Sequence, residues 1–224
     1  MRNLDISEGE YYHVFNRGVR KQNIFHDKAD FVRFLFYVLF LQSPVNFLQI
    51  SRPVQQYVKH SVFDIGEDKI TKIIDGRYVE LVAFCLMPNH FHLLLKESRK
   101  GGIARYMQRV LNGYTKYYNT KYQKSGHLFQ GPYKAIYIES DKQLLYLSTY
   151  IHRNPRELPD WKVDEQKYPW SSYQDYIKKN RWGKLLIPDL VLEQFPAEKE
   201  YSLFVKTSTA KMSKDESETM FDNN

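Results

Sequence analysis

The stretch "RYVELVAFCLMPNHFHLLLKE" constrains the fold more than any other part of the chain. Two apolar runs, each long enough for a strand, are separated only by Pro88-Asn89. Such a short link leaves no room for a crossover, so the runs must pair antiparallel as a hairpin. In the second run side chains alternate between faces, which sends His90 and His92 to one side and Phe91 to the other. One histidine in an apolar strand reads as a hydrogen-bonded core residue. Two on the same face are less easily explained that way. Imidazole is the commonest side-chain metal ligand, and two of them make half a site. The run continues as Leu93-Leu94-Leu95, so the further Asp and His of a His-x-His-x-Asp-His hydrolase are missing. A third ligand, and a nucleophile other than metal-bound water, must come from elsewhere in the chain.

The flanking pattern sets the architecture. "EYYHVFNRG" predicts a strand ending at Gly18. "DKADFVRFLFYVLFLQ" predicts a helix capped by Asp27, with Phe31, Phe34, Leu35, Val38 and Leu39 on one stripe. "IARYMQRVLNGYTKYYNTKYQ" predicts a long helix and "HLFQGPYKAIYI" an extended segment. "KQLLYLSTYIHR" predicts a helix capped by Ser140 or Asp141 and stopped by Asn154-Pro155. "YPWSSYQDYIKK" and "PDLVLEQF" predict short helical pieces. The order of elements points to an α+β fold: a ferredoxin-like or RRM-like antiparallel sheet, helices packed on one face, with the histidine strand central. Residues 43–77 carry Pro44, Pro53, Gly66 and Gly76 and read as an insertion, with short strands at "QYVKHSVFDI" and "KITKII". We expect a single domain over residues 1–205 and a disordered tail over 206–224, where apolar residues are few.

Charge is distributed unevenly. The 224-residue chain has a net charge of +7. Between Ser98 and Ile138 there is no Asp or Glu, while Arg99, Lys100, Arg105, Arg109, Lys116, Lys121, Lys124 and Lys134 all fall there. Tyr106, Tyr114, Tyr117, Tyr118, Tyr122, Phe129 and Tyr133 are interleaved with them. Taken singly, these aromatics read as half-buried helix residues. The acid-free segment as a whole favours nucleic acid, bound mainly through phosphates. Candidate contacts are Arg105, Arg109, Lys116 and Lys134, joined by Asn16 and Arg17 at the end of the first strand, by Arg20 and Lys21 just after it, and by Arg153. The single cysteine, Cys85, excludes an internal disulfide and a cysteine zinc cage. With no apolar signal region and no run of about 20 apolar residues, a cytoplasmic protein without membrane contact is expected.

"STYIHRNPREL" offers the missing groups. Tyr150 and Asn154 are four apart at the end of a helix and share a face. Asn154 supplies a carbonyl oxygen for a hard cation, and Tyr150 a phenol whose ordinary pKa of about 10 makes it a nucleophile in need of help. Spacing alone does not select Tyr150, because Tyr12, Tyr137 and Tyr176 also precede an Asn or Asp by four residues.

"LMPNHFHLLL" together with "YIHRNPREL" resembles the single-tyrosine HUH transposases, named for histidine–hydrophobic–histidine, and within them the REP-associated tyrosine transposases. "YYHVFNRGVRKQNIF", "GHLFQGPYK" and "YPWSSYQDY" are similar too, so the resemblance spans about Tyr11 to Tyr176, interrupted at 43–77. It implies a metal-dependent transposase that cleaves and rejoins single-stranded DNA near hairpins through a covalent 5′-phosphotyrosine, without ATP. His90, His92 and Asn154 match the metal ligands, for Mg2+ or Mn2+, and Tyr150 the nucleophile. Pro132 departs from the pattern, standing where relatives often carry Arg. A monomer is expected rather than a dimer. Two other classes fit less well: a nucleic-acid-binding protein that kept the fold but lost the chemistry, and a metallohydrolase using water.

Overall fold

The computed structural model describes residues 6–45 and 49–208. Four strands form one antiparallel sheet: β1 (Tyr11–Arg17), β2 (Val79–Met87), β3 (His90–Glu97) and β4 (Lys134–Tyr137), in the order β2-β3-β1-β4. α1 (Lys28–Phe40) follows β1. α2 (Ser51–His60) and α3 (Glu67–Gly76) lead into β2, and α4 (Gly102–Tyr122) connects β3 to β4. Without α2 and α3 the order is the β-α-β-β-α-β of ferredoxin-like folds. The α+β expectation holds, and the histidine strand is central, paired with β1 on one side and β2 on the other.

Alternation along the strands divides the sheet into two faces. One carries Tyr12, Val14, Leu81, Phe84, Phe91, Leu93 and Leu95, buried against α1 and α4. Asp30 locks those two helices together. Its carboxylate accepts hydrogen bonds from Lys121 (2.7 Å), Tyr122 (2.6 Å) and Tyr117 (3.0 Å). Asp27 caps α1 as expected, accepting from the Asp30 amide at 3.0 Å.

The structure adds a second helical layer on the opposite face. There α5 (Asp141–Arg153), α6 (Tyr173–Ile177), α7 (Asp189–Leu192) and α8 (Glu198–Thr207) gather. Leu144, Leu147 and Ile151 of α5 pack on Ala83, Cys85, Met87 and Leu94 of the sheet. Ser140 is the cap of α5, accepting from the Gln143 amide at 3.3 Å. The sheet is therefore covered on both sides, and the histidine face lies beneath α5.

The short strands expected inside 43–77 are instead the helices α2 and α3. Pro53 sits in the first turn of α2, where a missing N–H costs nothing. Val54, Tyr57 and Val58 then fall on one stripe, as do Ile70, Ile73 and Ile74 in α3. β-Branched content favours strands locally, but burial of that stripe decides. Tyr57 and Phe63 pack edge to face with Phe36 of α1 at ring-centroid distances of 5.5 and 5.6 Å. Of the tail expected over 206–224, only residues 206–208 are described, and α8 runs through Thr207.

Candidate active site

Two rungs across the sheet define the site. Cys85, His92, Phe15 and Lys134 stand side by side on β2, β3, β1 and β4. Met87, His90 and Arg17 form the next rung. Directly paired residues share a face, so Arg17 flanks His90, while Lys134 lies beyond Phe15 from His92. The ring centroids of His90 and His92 are 5.0 Å apart at an interplanar angle of 83°. From α5 above, the half-buried Tyr150 brings its ring to 5.3 Å from that of His92, edge to face. One turn later Asn154 sets its Oδ1 3.2 Å from His90 Nε2. The structure thus brings together His90, His92, Tyr150 and Asn154, from segments 60 residues apart in sequence.

Both histidines are buried and neutral. Burial pushes His90 down to about 4, with Arg17 acting in the same direction against the Asn154 contact. Burial pushes His92 lower than its ordinary range as well, helped by His13 and His90. Neutrality matters because a neutral imidazole has one N–H and one lone pair. His90 Nδ1 is 2.7 Å from Asn89 Oδ1, and its Nε2 faces Asn154 Oδ1. Each amide is oriented by its own NH2, Asn89 Nδ2 donating to the Lys21 carbonyl at 3.3 Å and Asn154 Nδ2 to the Tyr150 carbonyl at 3.0 Å. His90 therefore lies between two carbonyl oxygens with one proton to give, leaving one contact acceptor against acceptor. His92 Nε2 is buried with no hydrogen-bond partner. A cation between these acceptors would relieve both conflicts, and neutral imidazoles with a carboxamide oxygen are ligands it accepts. The donors present therefore fit a divalent ion. Among the described residues no group of three or more His, Cys, Asp or Glu side chains is placed to hold one.

The proposed nucleic-acid contacts separate into four groups. Arg17 and Lys134 stand on the histidine face. Arg20 and Lys21 are exposed beside it, in a turn where both take left-handed backbone (φ 52° and 61°). That conformation is strained for residues other than glycine. Here it delivers the Lys21 carbonyl to Asn89. Lys116 and Arg105 are exposed on α4, Arg105 at the helix start, at the opposite end of β3 from His90 and roughly 20 Å along the strand. Three are used inside the protein. Asn16 lies on the opposite face of β1 and donates to the Gly131 carbonyl at 3.1 Å. Arg109 is bound to the Ser43 carbonyl, the Val45 carbonyl (3.0 Å) and the Tyr78 hydroxyl (2.8 Å), fastening the segment after α1 to α4. Arg153 donates to the Ser208 carbonyl after α8. Three tyrosines of the basic helix, Tyr106, Tyr114 and Tyr118, are buried and cannot serve as stacking platforms. Tyr106 and Tyr114 are fully buried and donate to the carbonyls of Val38 (2.8 Å) and Ile24 (2.6 Å), and Tyr118 contacts His26 at 2.9 Å.

Two residues of the site are not apparent from the sequence pattern alone. Asn89 looks like a turn residue. His13, fully buried on β1, places Nε2 2.8 Å from His92 Nδ1 and its ring 6.1 Å from that of Tyr150. The signal that could have found it is the parity of His13, Phe15 and Arg17 in "YYHVFNR", which puts a third imidazole on a face of a second strand.

A phenol, two buried imidazoles, a carboxamide and flanking cations thus gather on one sheet face. Residues 48–154 match the family model described as "Transposase IS200 like". The matched span contains His90, His92, Tyr150 and Asn154. The matched span begins inside the 43–77 segment. A solved structure of a REP-associated tyrosine transposase bound to a REP hairpin is similar, with 14% identity and a TM-score of 0.49, covering 79% of this chain and 84% of that chain. No curated protein matches. Among the described residues no helix is long and apolar enough to cross a membrane.

Proposed function

We propose that the protein is a DNA strand transferase that cleaves and rejoins single-stranded DNA near hairpins through a covalent bond to Tyr150. The observation that carries this reading is the placement of the Tyr150 ring against buried, neutral His92, with Asn154 one turn away and in contact with His90. The phenolic oxygen attacks phosphorus, an O–P bond forms as the phenol proton leaves, and the P–O3′ bond breaks. The products are a 5′-phosphotyrosine and a 3′-hydroxyl, which takes up a proton. Reversal by a 3′-hydroxyl reseals or transfers the strand, and because the phosphoester energy is conserved no ATP is needed. His90, His92 and Asn154 would hold a divalent cation, Mg2+ or Mn2+, which when bound neutralises the phosphate under attack. Arg17 and Lys134 orient the strand through its phosphates.

On this reading the working unit is one copy of the chain in the cytoplasm, folded as a single domain through residue 205 with 43–77 as an insertion. The test is incubation with a hairpin-bearing single-stranded oligonucleotide and Mg2+ or Mn2+, resolved on a denaturing gel. Wild-type protein, Tyr114→Phe and Tyr118→Phe form a protein–DNA adduct, and Tyr150→Phe forms none. An adduct that survives in Tyr150→Phe defeats the assignment. Free ends without adduct indicate a hydrolase, and binding without cleavage a binding protein.

A further inference from the structure

We infer that His13 and Asn89 are positioning residues: each holds the proton of one motif histidine on Nδ1, so that both Nε2 lone pairs face the cleft. The inference rests on the metal-binding reading above and goes beyond it by assigning what sets the ligand state.

For His90 the assignment follows from Asn89. Its Oδ1 only accepts, and it lies 2.7 Å from His90 Nδ1, nearer than Asn154 Oδ1 is to Nε2. The proton therefore belongs on Nδ1. Asn89 cannot turn its amide over without losing the bond to the Lys21 carbonyl, which the left-handed residues Arg20 and Lys21 hold in position.

For His92 the partner is a second imidazole. Paired positions put His13 opposite Leu94 and Phe15 opposite His92, so His13 sits one step along on the same face. The two rings lie within 24° of parallel, with Nε2 of His13 and Nδ1 of His92 at 2.8 Å. One proton occupies that line. Were it donated by His13, the proton of neutral His92 would have to sit on Nε2, a buried N–H with no acceptor and therefore unfavourable. Donated by His92, it leaves on Nε2 a lone pair that a cation completes. Partners of this kind fix the ring orientation and basicity of metal-bound histidines.

The experiment has two readouts. In metal-free protein labelled with 15N-histidine, long-range 1H–15N spectra should show His90 and His92 both as Nδ1–H tautomers. Mn2+ titration then compares wild type with His13→Gln, whose side-chain carbonyl can accept the same proton, and His13→Phe, which fills the space but accepts nothing. His13→Gln should bind Mn2+ within a few-fold of wild type, and His13→Phe about 10–100-fold more weakly. An Nε2–H tautomer of either histidine in wild-type protein overturns the inference. Equal Mn2+ affinity of His13→Phe and wild type overturns it while leaving the metal reading intact. Failure of wild-type protein to bind Mn2+ refutes the metal reading itself, and the inference falls with it. Should His13→Phe not fold, the wild-type spectrum and His13→Gln still decide.

Discussion

His152 ties the helix that carries Tyr150 to the rest of the protein, and its titration should make that tie acid-labile. The ring is fully buried on α5, with Nδ1 2.6 Å from the Tyr201 hydroxyl of α8 and Nε2 2.8 Å from Ser172 Oγ. Ser172 is in turn bonded to the backbone of Phe84 in β2. The rings of Tyr173, Tyr176 and Tyr201 enclose it, and burial lowers its pKa from 6.5 to about 3. Because the folded value is depressed, the stabilisation is fully present above pH 6.5 and is lost as pH falls towards 3. In that window the unfolded chain holds one more proton than the folded one. The slope this creates is about 1.4 kcal/mol per pH unit from His152 alone. The perturbation is His152→Gln, which keeps hydrogen-bonding capacity and removes the titration. Urea unfolding followed by tryptophan fluorescence, at intervals from pH 7.5 to 4.5, gives stability for both proteins. At pH 7.5 the variant should be the less stable. By pH 4.5 the difference should have shifted in its favour by about 3 kcal/mol. His90, His92 and the carboxylates titrate alike in both proteins and cancel in the comparison. A stability difference independent of pH would mean that His152 is not held neutral by burial, and the account of how α5 is fixed would fail.

Other expected outcomes concern the cations and the turn before α1. Replacing Arg17 and Lys134 by Ala should weaken binding of single-stranded DNA and reduce the slope of log K against log salt by about 0.7 for each phosphate no longer neutralised, as read by fluorescence anisotropy. Arg109→Ala should leave that slope unchanged and instead speed proteolysis near residues 43–45, because its bonds to the Ser43 and Val45 carbonyls are internal. Gly18→Ala should lower thermal stability by about 1–3 kcal/mol, since a Cβ there would stand 2.2 Å from the Gln22 carbonyl oxygen and 2.9 Å from Ile24 Cγ2. An unaltered melting temperature would show that the chain after β1 relaxes freely.

What the sequence discloses and what it hides divide along one physical line. The hairpin, the shared face of His90 and His92, the Asp27 and Ser140 caps and the pairing of Tyr150 with Asn154 all depend on neighbours within a few residues, where periodicity and capping chemistry act. The remaining features depend on register between distant segments. His13 reaches His92 across 79 residues only because Phe15 pairs with His92, a fact that no local pattern in "YYHVFNR" contains. Arg109 looks like a phosphate ligand because its surroundings lack acids. Its carbonyl partners, 64 and 66 residues away, belong to a backbone segment whose path the sequence leaves open. The segments that form α2 and α3 read as strands because β-branched residues suit a pleated surface, whereas here their apolar stripes are buried in the core, that of α2 against α1. The same distinction applies within the site. The groups proposed for the chemistry sit in short recognisable motifs, but their protonation is governed by side chains from other strands and turns, His13 on β1 and Asn89 held by the Lys21 carbonyl. A chain could keep "HFH" and "YIHRN" intact and still lose function through a change at position 13, because the lone pairs those motifs would present to a cation are set from outside them.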